Sequence, residues 1–208
     1  MFFPKLIRRS EEDYFNIRKK FYANYRDNYP KVKDDCKSRC VYCDITVKEY
    51  GGDNMQLDHF RPQEHFEHLE THPHNLYLSC PKCNVLKTSD WPCCKKTNDA
   101  PSFVGSIGYL DRFKHNADDY LRVEKDGTIT HIAGPTNYMI MKMKLNRPSR
   151  TNIRRKRIIE SQKTKLLIGI NKLTEKLLQD SKSGKISMAQ VPDRLENIRL
   201  LTTMAQSI

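Results

Sequence analysis

An α+β fold is what the sequence predicts: a small cysteine-stapled core between an N-terminal helix and a C-terminal helical layer. Three observations carry that expectation. Two C-x-x-C pairs, Cys40-Val41-Tyr42-Cys43 and Cys80-Pro81-Lys82-Cys83, stand thirty-six residues apart. Short runs with strand character follow the first pair and recur near residue 120, and helical periodicity governs the two ends. The chain divides into residues 1–35 as an N-terminal helical segment, 36–92 as the stapled core, 93–136 as a turn-rich segment with a β-hairpin, and 137–208 as a basic helical region.

The elements follow in order. Ser10-Glu11-Glu12-Asp13 has the capping hydroxyl and early acids of a helix start. Tyr14, Ile17, Phe21 and Tyr25 recur at three and four, which predicts one buried stripe that Pro30 closes. Met55, Leu57 and Phe60 fit a short strand turning at Pro62, and a helix is expected to start near Cys83 and end at Trp91-Pro92, with Trp91 packed against the staple. Leu121–Glu124 and Thr128–Ile132 flank Lys125-Asp126-Gly127, a hairpin signature. Ile159, Leu166, Ile170, Leu173 and Leu177 mark a long helix that Ser183-Gly184 ends, and Leu195, Ile198 and Leu201 mark a last one after Pro192.

Bulk properties narrow the partners. The 208 residues carry a formal charge of +12, and only 38% are hydrophobic, so a metal staple would help a modest core. Residues 147–180 hold ten Lys/Arg against three Asp/Glu, and residues 1–33 hold nine against four. That excess suits a phosphate-rich partner, because neutralising phosphates releases condensed counterions. No apolar run approaches the ~20 residues of a membrane helix, and Met1-Phe2-Phe3-Pro4 is too short for a signal-peptide core. A cytoplasmic location is expected, where paired cysteines read as metal ligands rather than disulfides.

Two C-x-x-C turns each aim two thiolates at one point, which predicts a tetrahedral structural zinc site on Cys40, Cys43, Cys80 and Cys83. Cys36, Cys93 and Cys94 read as ordinary thiols, with one of the three standing in for one of these four ligands as the alternative. Between the knuckles lies Asp58-His59-Phe60-Arg61-Pro62, then Asn75-Leu76, and directly after Cys83 come Asn84 and Lys87, three apart and so on one helix face. His65, His68, His72 and His74 crowd the intervening loop; they read as its surface, with an extension of the site as the alternative.

This order of C-x2-C, Asp-His, Asn-Leu and C-x2-C-Asn-x2-Lys resembles the HNH endonuclease superfamily and its ββα-metal core over about fifty residues. More narrowly it is similar to the HNH subunits of Septu-type and retron-associated anti-phage systems, as is Leu145-Asn146-Arg147 followed by a basic helix. The resemblance implies a phosphodiester-cleaving enzyme with DNA favoured over RNA, an effector of anti-phage defence working with an ATPase partner. His59 is then the general base, Asp58 and Asn84 hold the catalytic ion, and Asn75 orients the loop carrying His59. Asn84 departs from the histidine frequent at that position; an Asp/Asn pair of hard oxygens favours Mg²⁺ or Mn²⁺. Arg61, Lys87, Arg154, Arg155 and Arg157 are the expected nucleic-acid contacts. The competing reading is a non-catalytic, zinc-containing nucleic-acid-binding or interaction subunit.

Overall fold

In a computed structural model the described residues are 2–14, 16–17, 20–21 and 24–207, and they form two compact units, Met1–Arg154 and Arg155–Ile208. In the first unit the expected N-terminal helix is replaced by smaller pieces. A 3-10 turn at Glu11–Asp13 leads to a two-residue hairpin, β1 Asn16–Ile17 with β2 Lys20–Phe21, then a 3-10 turn at Tyr25–Asn28 and α1 Tyr29–Asp35. The Ile17 and Phe21 side chains of the expected stripe lie outside the described residues. Two forces override the helical spacing. This stretch is dense in aromatic residues, which favour strands. Tyr14 is also drawn into the core, where its hydroxyl donates to the Asp35 carboxylate and its ring meets His74 edge-on. Pro30 opens a helix instead of closing one: it lies in the first turn of α1, where its missing N–H costs nothing.

The central part is a two-stranded antiparallel sheet followed directly by a helix. Strand β3, Gln56–His59, pairs with β4, Leu76–Ser79, in the register Gln56↔Ser79, Leu57↔Leu78, Asp58↔Tyr77 and His59↔Leu76. All four residues of β4 are buried, while β3 alternates and presents part of itself outward. Helix α2, Pro81–Lys87, begins two residues before Cys83, because Cys80 is its N-cap and Pro81 its first residue. The first knuckle is stitched to this layer: Val41 N–H donates to Leu78 O at 3.0 Å, and Cys40 N–H to Ile45 O at 2.9 Å.

An aromatic cluster backs the sheet. Phe60 stacks on Tyr77 at 4.5 Å between centroids, and Trp91 meets Phe60 and Phe66 edge-on and lies parallel to Tyr109. Trp91 thus packs among rings, and α2 stops at Lys87 rather than at Trp91. Asp90 accepts from Tyr109 and Tyr138 hydroxyls at 2.6 and 2.5 Å, tying the chain after α2 to the segments that follow. Those are the hairpins β5 Phe103–Val104 with β6 Ile107–Gly108, and β7 Leu121–Val123 with β8 Ile129–His131, then α3 Thr136–Lys142. The second hairpin turns as its Asp-Gly pair predicts: Gly127 has φ +86°, and Asp126 accepts from Thr128 N–H at 2.9 Å.

Helix α4, Pro148–Lys182, starts in the first unit and runs on through the second, which α5, Val191–Ser207, completes. Gly184 at φ +65° and a Ser187/Gln190 capping box make the turn between them. Ile170, Leu177, Ile186 and Ala205 are buried in this unit. Leu173 and Leu195 of the expected stripes stay about half exposed, at 46% and 50%. Among the described residues no helix is long and apolar enough to cross a membrane.

Candidate active site

The four cysteines of the two knuckles converge. The sulfurs of Cys40, Cys43, Cys80 and Cys83 all lie within 4.8 Å of one another, and Cys43 and Cys80 are 3.8 Å apart. Tetrahedral zinc with bonds near 2.3 Å needs sulfurs separated by about 3.8 Å, so the donor set fits that ion. Cys36 stays outside the quartet: its buried sulfur accepts from Leu78 N–H, and burial pushes its thiol up to about 11.

Two arginines that sequence reasoning did not single out for this role face the sulfurs. Arg147 approaches Cys83, Cys80 and Cys43 at 3.5, 3.8 and 4.0 Å, and Arg150 approaches Cys80 at 3.4 Å. A zinc ion with four thiolates carries two net negative charges, so two guanidiniums balance it. The sulfur charges outweigh burial at both arginines, whose pKa values stay above the ordinary arginine value. The 147, 150, 154 spacing of one helix face was the available signal.

One helical turn beyond Cys83, Lys87 is wholly buried, and its ammonium lies 3.3 Å from Asp58 Oδ2 and 2.7 Å from His59 O. The Tyr42 hydroxyl, from within the first knuckle, donates to the same Oδ2. Burial raises the Asp58 carboxyl above its ordinary value, and Lys87 and Tyr42 oppose that rise. Among the described residues Asp58 Oδ1 accepts from Lys87 Nζ alone, at 3.5 Å, which leaves it lone pairs for a cation.

His59 follows on the other side of the strand. Its Nε2 sits 2.8 Å from Glu70 O, an acceptor, so Nε2 donates its proton there and, in the neutral ring, Nδ1 is the nitrogen with the lone pair. Asn75 grips the turn behind it from both sides: Arg61 N–H donates to Asn75 Oδ1 at 2.8 Å, and Asn75 Nδ2 donates to Arg61 O at 2.9 Å. Asn84 Nδ2 donates to Gln56 Oε1 at 2.9 Å, and among the described residues no donor is drawn to its Oδ1. Asp58, His59 and Asn84, with Gln63 and Glu64, line a single open cleft of about 440 Å³.

Residues 40–90 match the family model described as HNH endonuclease. No curated protein and no solved structure matches the chain. The matched segment, about a quarter of the chain, supports the HNH superfamily and with it nuclease chemistry on nucleic acid using divalent metals.

Several expected phosphate contacts face inward instead. Arg61 is buried, donates to Ala100 O, and lies 4.8 Å from the Trp91 ring centroid. Lys87 is spent on Asp58. Arg154, 1% exposed, donates to Gly127 O, Leu145 O and Cys43 O, and burial pulls it down to about 10. Cations this deep persist because carbonyls, a carboxylate or a ring replaces their water. Arg155 is exposed and Arg157 half-buried. His72 and His74 approach Glu11 at 3.4 and 3.5 Å and line a different cleft, away from Asp58.

Proposed function

We propose that the chain is a metal-dependent nuclease hydrolysing phosphodiester bonds, with DNA as its substrate. The observation that carries this is the shared cleft of Asp58, His59 and Asn84, brought together by β3 and the start of α2. Nδ1 of His59 takes the proton of an attacking water while Nε2–H stays on Glu70 O, which fixes the ring. The water oxygen bonds to phosphorus as the 3′ oxygen departs. Asn75, clamping the Arg61 backbone, holds the turn that orients His59. Asp58 Oδ1 and Asn84 Oδ1 are the hard oxygens that would hold Mg²⁺ or Mn²⁺, which would supply charge stabilisation to the reaction. Arg155, exposed on the basic helix, is offered for phosphate contact.

Supercoiled-plasmid nicking in Mg²⁺ and Mn²⁺ tests the reading. Wild type nicks, and Asp58→Ala and His59→Ala lose at least a hundredfold. Undiminished nicking by a folded His59→Ala protein refutes the catalytic assignment of this cleft, and wild-type protein that binds DNA without nicking it in either metal leaves a non-catalytic zinc module. The similarity to Septu-type and retron-associated subunits extends the proposal to an anti-phage effector with an ATPase partner. Half-exposed Leu167, Ile168, Leu178, Leu195, Leu200 and Met204 on the second unit favour a protein partner there. Nicking is therefore assayed with and without that partner.

A further inference from the structure

The cleft that holds Asp58 and His59 does not end at Asn84. A second cleft of about 500 Å³, lined by Tyr25, Arg26, Tyr29, Met55, Gln56, Leu57 and Asn84, shares Tyr25, Leu57 and Asn84 with the first. The two clefts therefore adjoin as lobes that share these residues, and Tyr25 borders both. Its ring meets the His59 ring edge-on at 5.1 Å. Arg26 is exposed, 5.9 Å from the Tyr25 centroid, and pairs with no carboxylate among the described residues. Tyr25, Arg26 and Tyr29 all lie outside the matched 40–90 segment, so the N-terminal part of the chain walls the cleft beside its chemistry.

We propose that this second lobe is a nucleotide subsite next to the scissile phosphate, gripping one unit of a DNA strand through ring stacking and a phosphate contact. The inference rests on the nuclease reading of the first lobe. The volume suits it, since ligand sites span about 300–1,000 Å³. So does the lining: two tyrosines bring aromatic rings, Gln56 and Asn84 bring amides, and Arg26 brings an exposed cation. Stacking platforms with adjacent basic groups are how proteins hold a strand without reading its sequence. A base stacked on Tyr25 sets the adjoining phosphate between His59 and Asn84. Because a base must leave its pair to reach a ring face, a single-stranded or distorted site binds better than intact duplex.

The test uses the full chain with its zinc, carrying His59→Ala so that DNA survives, and fluorescence anisotropy on a labelled single strand and on the matching duplex. Tyr25→Ala weakens single-strand binding by about 5- to 150-fold, the range for losing one base stack, and Tyr25→Phe restores it. Arg26→Ala weakens binding and lowers the salt slope by about 0.7. In the cleaving protein these two substitutions raise KM more than they lower kcat. Unchanged affinity in both alanine variants, or a Tyr25→Ala defect confined to kcat, overturns the subsite and leaves Tyr25 as a prop for the His59 ring. Should Tyr25→Ala not fold, exposed Arg26 still decides through its salt slope. Full cleavage by His59→Ala refutes the catalytic reading of the first lobe instead, a result the binding measurements do not mimic.

Discussion

Removing the ammonium of Lys87 should expose how much the buried charge pair holds together. Lys87 is 0% exposed and Asp58 4%, and the same ammonium also satisfies His59 O at 2.7 Å. Lys87→Met keeps most of the volume, so the loss is electrostatic rather than a cavity. Stripping one partner from a buried pair costs about 3–5 kcal/mol, a large part of a typical ~5–15 kcal/mol stability. Trp91 is the only tryptophan and is buried in the same unit, so its fluorescence during urea unfolding reads this region. The pH dependence has a definite sign. Burial already raises the Asp58 carboxyl, and losing Lys87 raises it further. A raised folded-state carboxyl favours the fold most below its unfolded value, about 3.9, and that contribution is lost as pH rises through the folded value. The penalty of Lys87→Met therefore shrinks in acid and is full near neutrality. Asp58→Asn combined with Lys87→Met costs less than the two single changes added together. A loss below about 1 kcal/mol at neutral pH, where a severed buried pair costs several times that, or one indifferent to pH, would refute the reasoning.

Arg147→Ala and Arg150→Ala, at the sulfurs, should speed chelator extraction of zinc about tenfold or more, roughly the 1.5–3 kcal/mol of a charged hydrogen bond; lysine at either position recovers part of it. Arg61→Ala should destabilise the fold by about 1–3 kcal/mol, through its lost stack on Trp91 and its lost carbonyl partner, while leaving the salt slope of DNA binding unchanged. Arg154→Ala behaves likewise, whereas Arg155→Ala lowers the salt slope and leaves urea stability within about 0.5 kcal/mol. Asn75→Ala, which unpairs the buried Arg61 N–H, should cost about 1–3 kcal/mol, and should lower kcat more than it raises KM if the clamp positions His59.

What was legible in the sequence was what spacing alone encodes. Both knuckles, the Asp-Gly hairpin and the long helix depend on local geometry, and the structure forms each of them. The N-terminal stripe misled because aromatic residues at three and four fit a helix equally well, and nothing local announced that Tyr14 would reach Asp35. The direction of the cations was illegible for the same reason. Lys87 meets Asp58 twenty-nine residues earlier, and Arg154 meets carbonyls of Gly127 and Leu145 that only folding assembles. A basic side chain next to a motif looks like a phosphate contact until its buried partner is known. Tyr42 hid in plain view between two ligands, although its ring had to go somewhere once the knuckle closed.

Helix α2 makes the sulfur site and the cleft a single mechanical unit. Cys80 caps it, Cys83 lies in its first turn, Asn84 follows, and Lys87 sits one turn beyond Cys83, about 6 Å along the axis. Seven residues are too few to hold a helix in water by themselves. The sulfurs at one end and the Asp58 pair at the other must therefore keep it in place. Zinc loss should then cost activity even when Mg²⁺ or Mn²⁺ is in excess, because Asn84 and Lys87 lose their register against β3. The expected result is that protein stripped by a zinc-selective chelator nicks plasmid at under about a tenth of its rate, a deficit of more than 1.4 kcal/mol in the barrier. Activity returns on adding one equivalent of zinc, while extra Mg²⁺ does nothing. Cys83→Ser should show the same deficit without rescue. Full-rate nicking by the stripped protein in Mg²⁺ would separate the staple from the cleft and leave α2 held by the Lys87–Asp58 pair alone.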